Sequence, residues 1–75
     1  MNARPVKHSL TLHGHRTSVS LEVPFWQAFR AIAEAQGKPL NQLAAEIDAA
    51  RGAEAGLASA IRVFVLQYYQ RSHDL

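Results

Sequence analysis

From Val6 to Leu12 apolar and polar side chains keep apart by parity: Val6, Leu10 and Leu12 share one, Lys7, Ser9 and Thr11 the other. That is the period of a half-buried strand, because successive side chains of an extended chain point to opposite faces. His13-Gly14-His15 interrupts the pattern, and Gly supplies turn conformations at little steric cost. A second alternation follows at once, with Val19, Leu21 and Val23 on one face and Arg16, Ser18, Ser20 and Glu22 on the other. Pro24 closes it, since proline lacks a ladder donor and suits the first turn of a helix. The pattern predicts strands over about residues 6–13 and 16–23.

Beyond Pro24 the period changes. Phe25, Ala28, Phe29, Ile32 and Ala33 recur at amphipathic helical spacing, and Gly37 can stop that helix. Leu40, Leu43, Ala44 and Ile47 repeat the stripe in a second helix, with Gly52 where a C-terminal cap is expected. Gly52 to Gly56 reads as a loop. Leu57, Ile61, Phe64, Val65 and Tyr68 then define a third helix, whose face Val63 and Leu66 widen. The predicted helices cover about 24–36, 40–51 and 57–70, with residues 1–5 as a flexible arm and 71–75 as a tail. A helix apolar over so much of its circumference asks for burial on more than one side, which so small a domain cannot supply alone.

Composition sharpens that point. Seventy-five residues make one domain, and the absence of Cys removes disulfides, thiolate metal sites and thiol nucleophiles together. Oligomerisation is the remaining common remedy for a small scaffold, and 48% hydrophobic residues supply the surface for it. An obligate oligomer is therefore expected. No stretch approaches the roughly 20 apolar residues of a membrane span, and the opening residues lack a signal-peptide pattern, so a cytoplasmic location is expected.

Net charge is only +2, but it is unevenly placed. Residues 1–16 hold Arg4, Lys7 and Arg16 with no acid, whereas residues 17–75 carry one net negative charge. A basic end on a balanced domain points to a polyanionic partner.

The run Gly14-His15-Arg16-Thr17-Ser18-Val19-Ser20-Leu21-Glu22 followed by Phe25-Trp26 resembles a subgroup of small bacterial proteins in the ribbon-helix-helix superfamily of Arc and MetJ. Ala45-Glu46-Ile47-Asp48 and Ser59-Ala60-Ile61-Arg62-Val63-Phe64-Val65-Leu66 resemble it too, so the likeness covers about residues 6–69. It implies a mainly α fold with a short β ribbon, carrying an extra N-terminal strand and a third C-terminal helix, in an intertwined homodimer. Residues 17–23 of two chains would pair antiparallel, and the ribbon would enter a major groove roughly 12 Å wide. The base-facing positions are then Ser18, Ser20 and Glu22, with Arg16, Lys38 and Asn41 on phosphate. The dimer core is expected from Val19, Leu21, Val23, Phe25, Phe29, Ile32, Leu43, Ile47, Ile61, Phe64 and Val65, and residues 57–70 offer a surface for a higher oligomer. Double-stranded DNA is the implied partner, without cofactor, metal or membrane.

Rival chemistries have less behind them. His8, His13 and His15 lie near one turn, but no carboxylate cluster accompanies them as a transition metal would ask. Trp26 and the Tyr68-Tyr69 pair read as packing and interface material rather than a stacking platform for bases. There is no Gly-rich phosphate loop, GxSxG or HExxH, so no enzyme is expected. The alternative is a protein-interaction or oligomerisation module built on the same dimer without DNA binding; Glu22, which repels phosphate, favours it.

Overall fold

His13 and Gly14 take φ angles of 53° and 79°, both left-handed, and so turn the chain back on itself in two residues. Such turns match the twist of the strands they join. In the computed structural model, which describes residues 4–52 and 55–73, the turn connects β1 (Pro5–Leu12) to β2 (His15–Glu22). The strands are antiparallel, with Leu12 opposite His15, Leu10 opposite Thr17, His8 opposite Val19 and Val6 opposite Leu21. Residues flanking a two-residue turn form a hydrogen-bonded pair, so the alternate rungs are the non-hydrogen-bonded ones. These are Thr11–Arg16, Ser9–Ser18 and Lys7–Ser20, whose backbone groups point away from the ribbon's midline.

Three helices follow: α1 (Val23–Ala35), α2 (Leu40–Ala50) and α3 (Leu57–His73). Pro24 occupies the first turn of α1, where its missing N–H costs nothing. Gly37, at φ 66°, ends that helix: the Lys38 amide donates to the Ala33 carbonyl at 2.9 Å and the Gly37 amide to that of Glu34 at 3.0 Å. This reciprocal closure satisfies carbonyls that the helix end would leave bare.

The helices pack beneath one face of the hairpin. Leu10, Leu12, Val19 and Leu21 from the ribbon meet Phe29, Ile32, Leu43, Ile47, Ile61 and Val65 from the helices in one buried core. Leu21, Phe29 and Ile61 are wholly sealed within the single chain.

Four expectations need correction. Val19 and Leu21, expected in the dimer core, are already covered within one chain, because β1 widens the sheet and the helices close on it, leaving Val19 4% exposed. Val23 opens α1 instead of ending β2, so its side chain leaves the sheet face and stands 42% exposed. Gly52 does not cap α2 in the left-handed region; Arg51 turns extended there and donates its amide to the Ile47 carbonyl at 3.0 Å. The tail expected from residue 71 is helical through His73, with residues 74–75 outside the described residues. Of the expected arm, residues 1–3 also lie outside, while Pro5 already belongs to β1.

Candidate nucleic-acid interface

Strand parity puts Lys7, Ser9 and Thr11 of β1 and Arg16, Ser18 and Ser20 of β2 on the face of the ribbon opposite the core, and all six are exposed. The expected base-facing residues Ser18 and Ser20 thus stand outward on a sheet whose other side is fixed by packing. Directly across from them are Ser9 and Lys7, and across from Arg16 is Thr11. The strand pattern alone does not name these β1 partners. Their parity was visible, but only the two-residue His13-Gly14 turn fixes which residue each one faces.

Glu22 shares that parity. Its side chain turns to α3, where Arg62 donates from Nε to Oε1 at 2.9 Å and from Nη2 to Oε2 at 3.1 Å. The Arg62 hydrogen bonds, chiefly, hold the Glu22 carboxyl below the usual carboxylate range; its own backbone amide and the nearby positive charge add to this, against some desolvation. Arg62 also lies 6.0 Å from the centroid of the Phe25 ring and makes a long 3.5 Å contact to the Ser20 carbonyl. A carboxylate held by both oxygens has little left to offer a base.

Both residues expected at the start of α2 have partners within the chain. Lys38 donates to Glu46 at 2.7 Å, and Gln42 donates to the other oxygen of that carboxylate at 3.2 Å. These bonds, that from Lys38 foremost, hold Glu46 below its ordinary pKa. The Asn41 Oδ1 accepts the outward-pointing Thr11 amide at 3.0 Å, so α2 clamps the outer edge of β1. Lys7 and Arg16, by contrast, have no ion pair among the described residues.

The residues expected to build a dimer core divide. Val19, Leu21, Phe29, Ile32, Leu43, Ile47, Ile61 and Val65 are buried inside one chain, Phe25 and Phe64 are partly covered, and Val23 is exposed. The histidines disperse. His8 stacks on Trp26 with ring centroids 4.0 Å apart, and His13 lies 4.0 Å from Asp48. Among the described residues no three His, Cys, Asp or Glu side chains converge as a metal site. Trp26 also abuts Phe29 at 6.0 Å, in keeping with a packing role. No helix among the described residues is long and apolar enough to cross a membrane.

A second surface lies on α3. Val63, Leu66 and Tyr69 are 52%, 55% and 39% exposed, and Val63 borders an apolar groove of about 330 Å³ between α2 and α3 that Ile47, Ala60 and Phe64 also line.

A family model described as a ribbon-helix-helix domain matches residues 5–69. No curated protein and no solved structure shows a significant match to the chain.

Proposed function

The chain belongs to the ribbon-helix-helix family, and from that membership we propose that it is a homodimeric, sequence-specific DNA-binding regulator of transcription. The family's members are generally DNA-binding regulators without enzymatic activity, and they typically bind as dimers. One observation carries the reading to this chain: an exposed row of Arg16, Ser18 and Ser20 rides on a strand whose opposite face is locked into the core. Serine hydroxyls donate to or accept from several base edges, so the row can discriminate without demanding one base. Arg16, near the turn, anchors phosphate. Lys38 joins the footprint by exchanging Glu46 for phosphate. Glu22 belongs to the scaffold rather than to the reading face, which removes the strongest objection to DNA.

The dimer of this reading forms where β2 still has an unpaired edge, the side away from β1. Exposed backbone donors and acceptors along a strand edge invite pairing with another chain, and a copy of the same strand satisfies them about a two-fold axis. The long contact from Arg62 to the Ser20 carbonyl yields to that pairing.

A second reading rests on the exposed α3 residues Val63, Leu66 and Tyr69, which suit a protein partner. Enrichment of random duplex DNA by the purified protein at two salt concentrations separates the two. Recovery of a common sequence supports the regulator, whereas no retention of DNA at either salt transfers the function to protein interaction.

A further inference from the structure

The polar face has two rows, and family membership speaks to only one of them. Within the chain β1 is hydrogen-bonded to β2, so edge pairing of β2 with its copy builds a sheet ordered β1-β2-β2-β1. Three strand spacings of about 4.8 Å put the outer strands roughly 14 Å apart. The major groove is only roughly 12 Å wide. The two central strands can descend toward the bases, but the outer pair meets the rims, and the rims are phosphate.

The side chains of β1 suit that position. Lys7, Ser9 and Thr11 point outward and are exposed, and Lys7 has no ion pair among the described residues. A lysine on a flexible stem is a mobile point charge suited to phosphate, and hydroxyls are common phosphate donors. Lys7 and Thr11 are four residues apart, about 13 Å along a strand, so they serve different phosphates. The strand is also held still: Leu10 and Leu12 are buried beneath it, and Asn41 ties the Thr11 amide to α2.

We propose that β1 is the phosphate-contacting strand of the interface, with Lys7, Ser9 and Thr11 gripping the duplex backbone on each side of the groove that β2 reads. This rests on the DNA-binding reading above and adds to it a second row of contacts, with Asn41 as the positioning residue.

The test is a set of salt titrations with the enriched duplex and a scrambled one, using wild type, Lys7→Ala, Lys7→Arg and the double variant Ser18→Ala/Ser20→Ala. Each Lys7 on phosphate releases about 0.9 counterion, so Lys7→Ala shallows the slope of log K against log salt by roughly 1–2 units per dimer. Its ratio of affinities for enriched over scrambled DNA stays unchanged. Lys7→Arg keeps the slope, and the double serine variant lowers the ratio while leaving the slope. Lys7→Gln, which retains an aliphatic stem, gives the same readout if alanine disturbs the strand. Wild type that binds with a slope identical to that of Lys7→Ala and Lys7→Gln overturns the role of β1 and leaves DNA binding standing. Wild type that retains no duplex overturns both.

Discussion

Arg62, in the first half of α3, grips Glu22 at the end of β2 through two guanidinium hydrogen bonds of 2.9 and 3.1 Å. The two residues are 40 apart in sequence, and their bond ties the last helix to the hinge between ribbon and α1. It also cancels the one acidic charge on the ribbon's outward parity. Glu22→Gln and Arg62→Gln should each lower the melting temperature, and the double variant should be no less stable than the worse single, because both singles remove one shared interaction. On DNA the signs diverge. Arg62→Gln leaves Glu22 as a bare charge and weakens binding, whereas Glu22→Gln releases Arg62 and does not. Additive losses of stability, or effects of equal sign on DNA, would refute the assignment.

The same pair sets a pH dependence. Glu22 and Glu46 are both held below the ordinary carboxylate value of 4.5, through Arg62 and Lys38 respectively. A carboxylate with a depressed folded-state pKa stabilises the protein above its unfolded value, and that contribution disappears as pH falls through the folded one. The stability gap between wild type and Glu22→Gln should therefore be full at pH 7 and close below about pH 4.5. Chemical denaturation at a series of pH values measures it; a gap that persists at pH 2 would mean the carboxylate's charge is not what holds α3.

Much of this arrangement was legible in the sequence because it is periodic. The two alternating runs separated by His13-Gly14 give the hairpin, and the spacing of Phe29, Ile32, Leu43, Ile47, Ile61 and Val65 gives the helices and their core. Parity alone placed Ser18 and Ser20 outward. Three things escaped because they depend on contacts between distant elements. Glu22 was assigned by parity, but at a strand end a side chain is free to bend toward whatever packs nearby, and Arg62 left no local mark. The bond from the Thr11 amide to the Asn41 Oδ1 follows only from the hairpin register. The intrachain cover of Val19 and Leu21 depends on β1 and the helices closing on the sheet together.

His8 carries an unmet cost. It points to the core side opposite Val19, lies flat on Trp26 with an interplanar angle of 6°, and buries an Nε2 that has no hydrogen-bond partner among the described residues. Leaving such an atom unsatisfied costs about 1–3 kcal/mol, whereas the ring stack itself needs no polar atom. His8→Phe keeps the stack and removes the orphan. The expected result is a melting temperature higher by roughly 4–8 °C for each 1 kcal/mol recovered. A fall in melting temperature would show that Nε2 finds a partner in the assembled protein.

The sharpest test of the dimer uses a proline. Ser18 and Ser9 form a non-hydrogen-bonded rung, so the Ser18 amide points away from β1 and contributes nothing to the hairpin ladder. Proline at such an edge position deletes only the outward donor, a substitution strands tolerate at sheet edges and not within them. Ser18→Pro should keep the helical circular dichroism and the folded core of one chain while abolishing β2 pairing between chains. Sedimentation should then show a monomer, and the melting temperature, which should rise with protein concentration in wild type, should become independent of it. Val19→Pro is the contrasting variant: Val19 and His8 form a hydrogen-bonded rung, so it breaks the hairpin itself and should unfold the chain. If Ser18→Pro stays dimeric, the strand edge is not the interface and the apolar face of α3 is the next surface to examine. Leu66→Lys then decides, because a substitution at a residue 55% exposed should leave a free surface within about 0.5 kcal/mol but should split an interface.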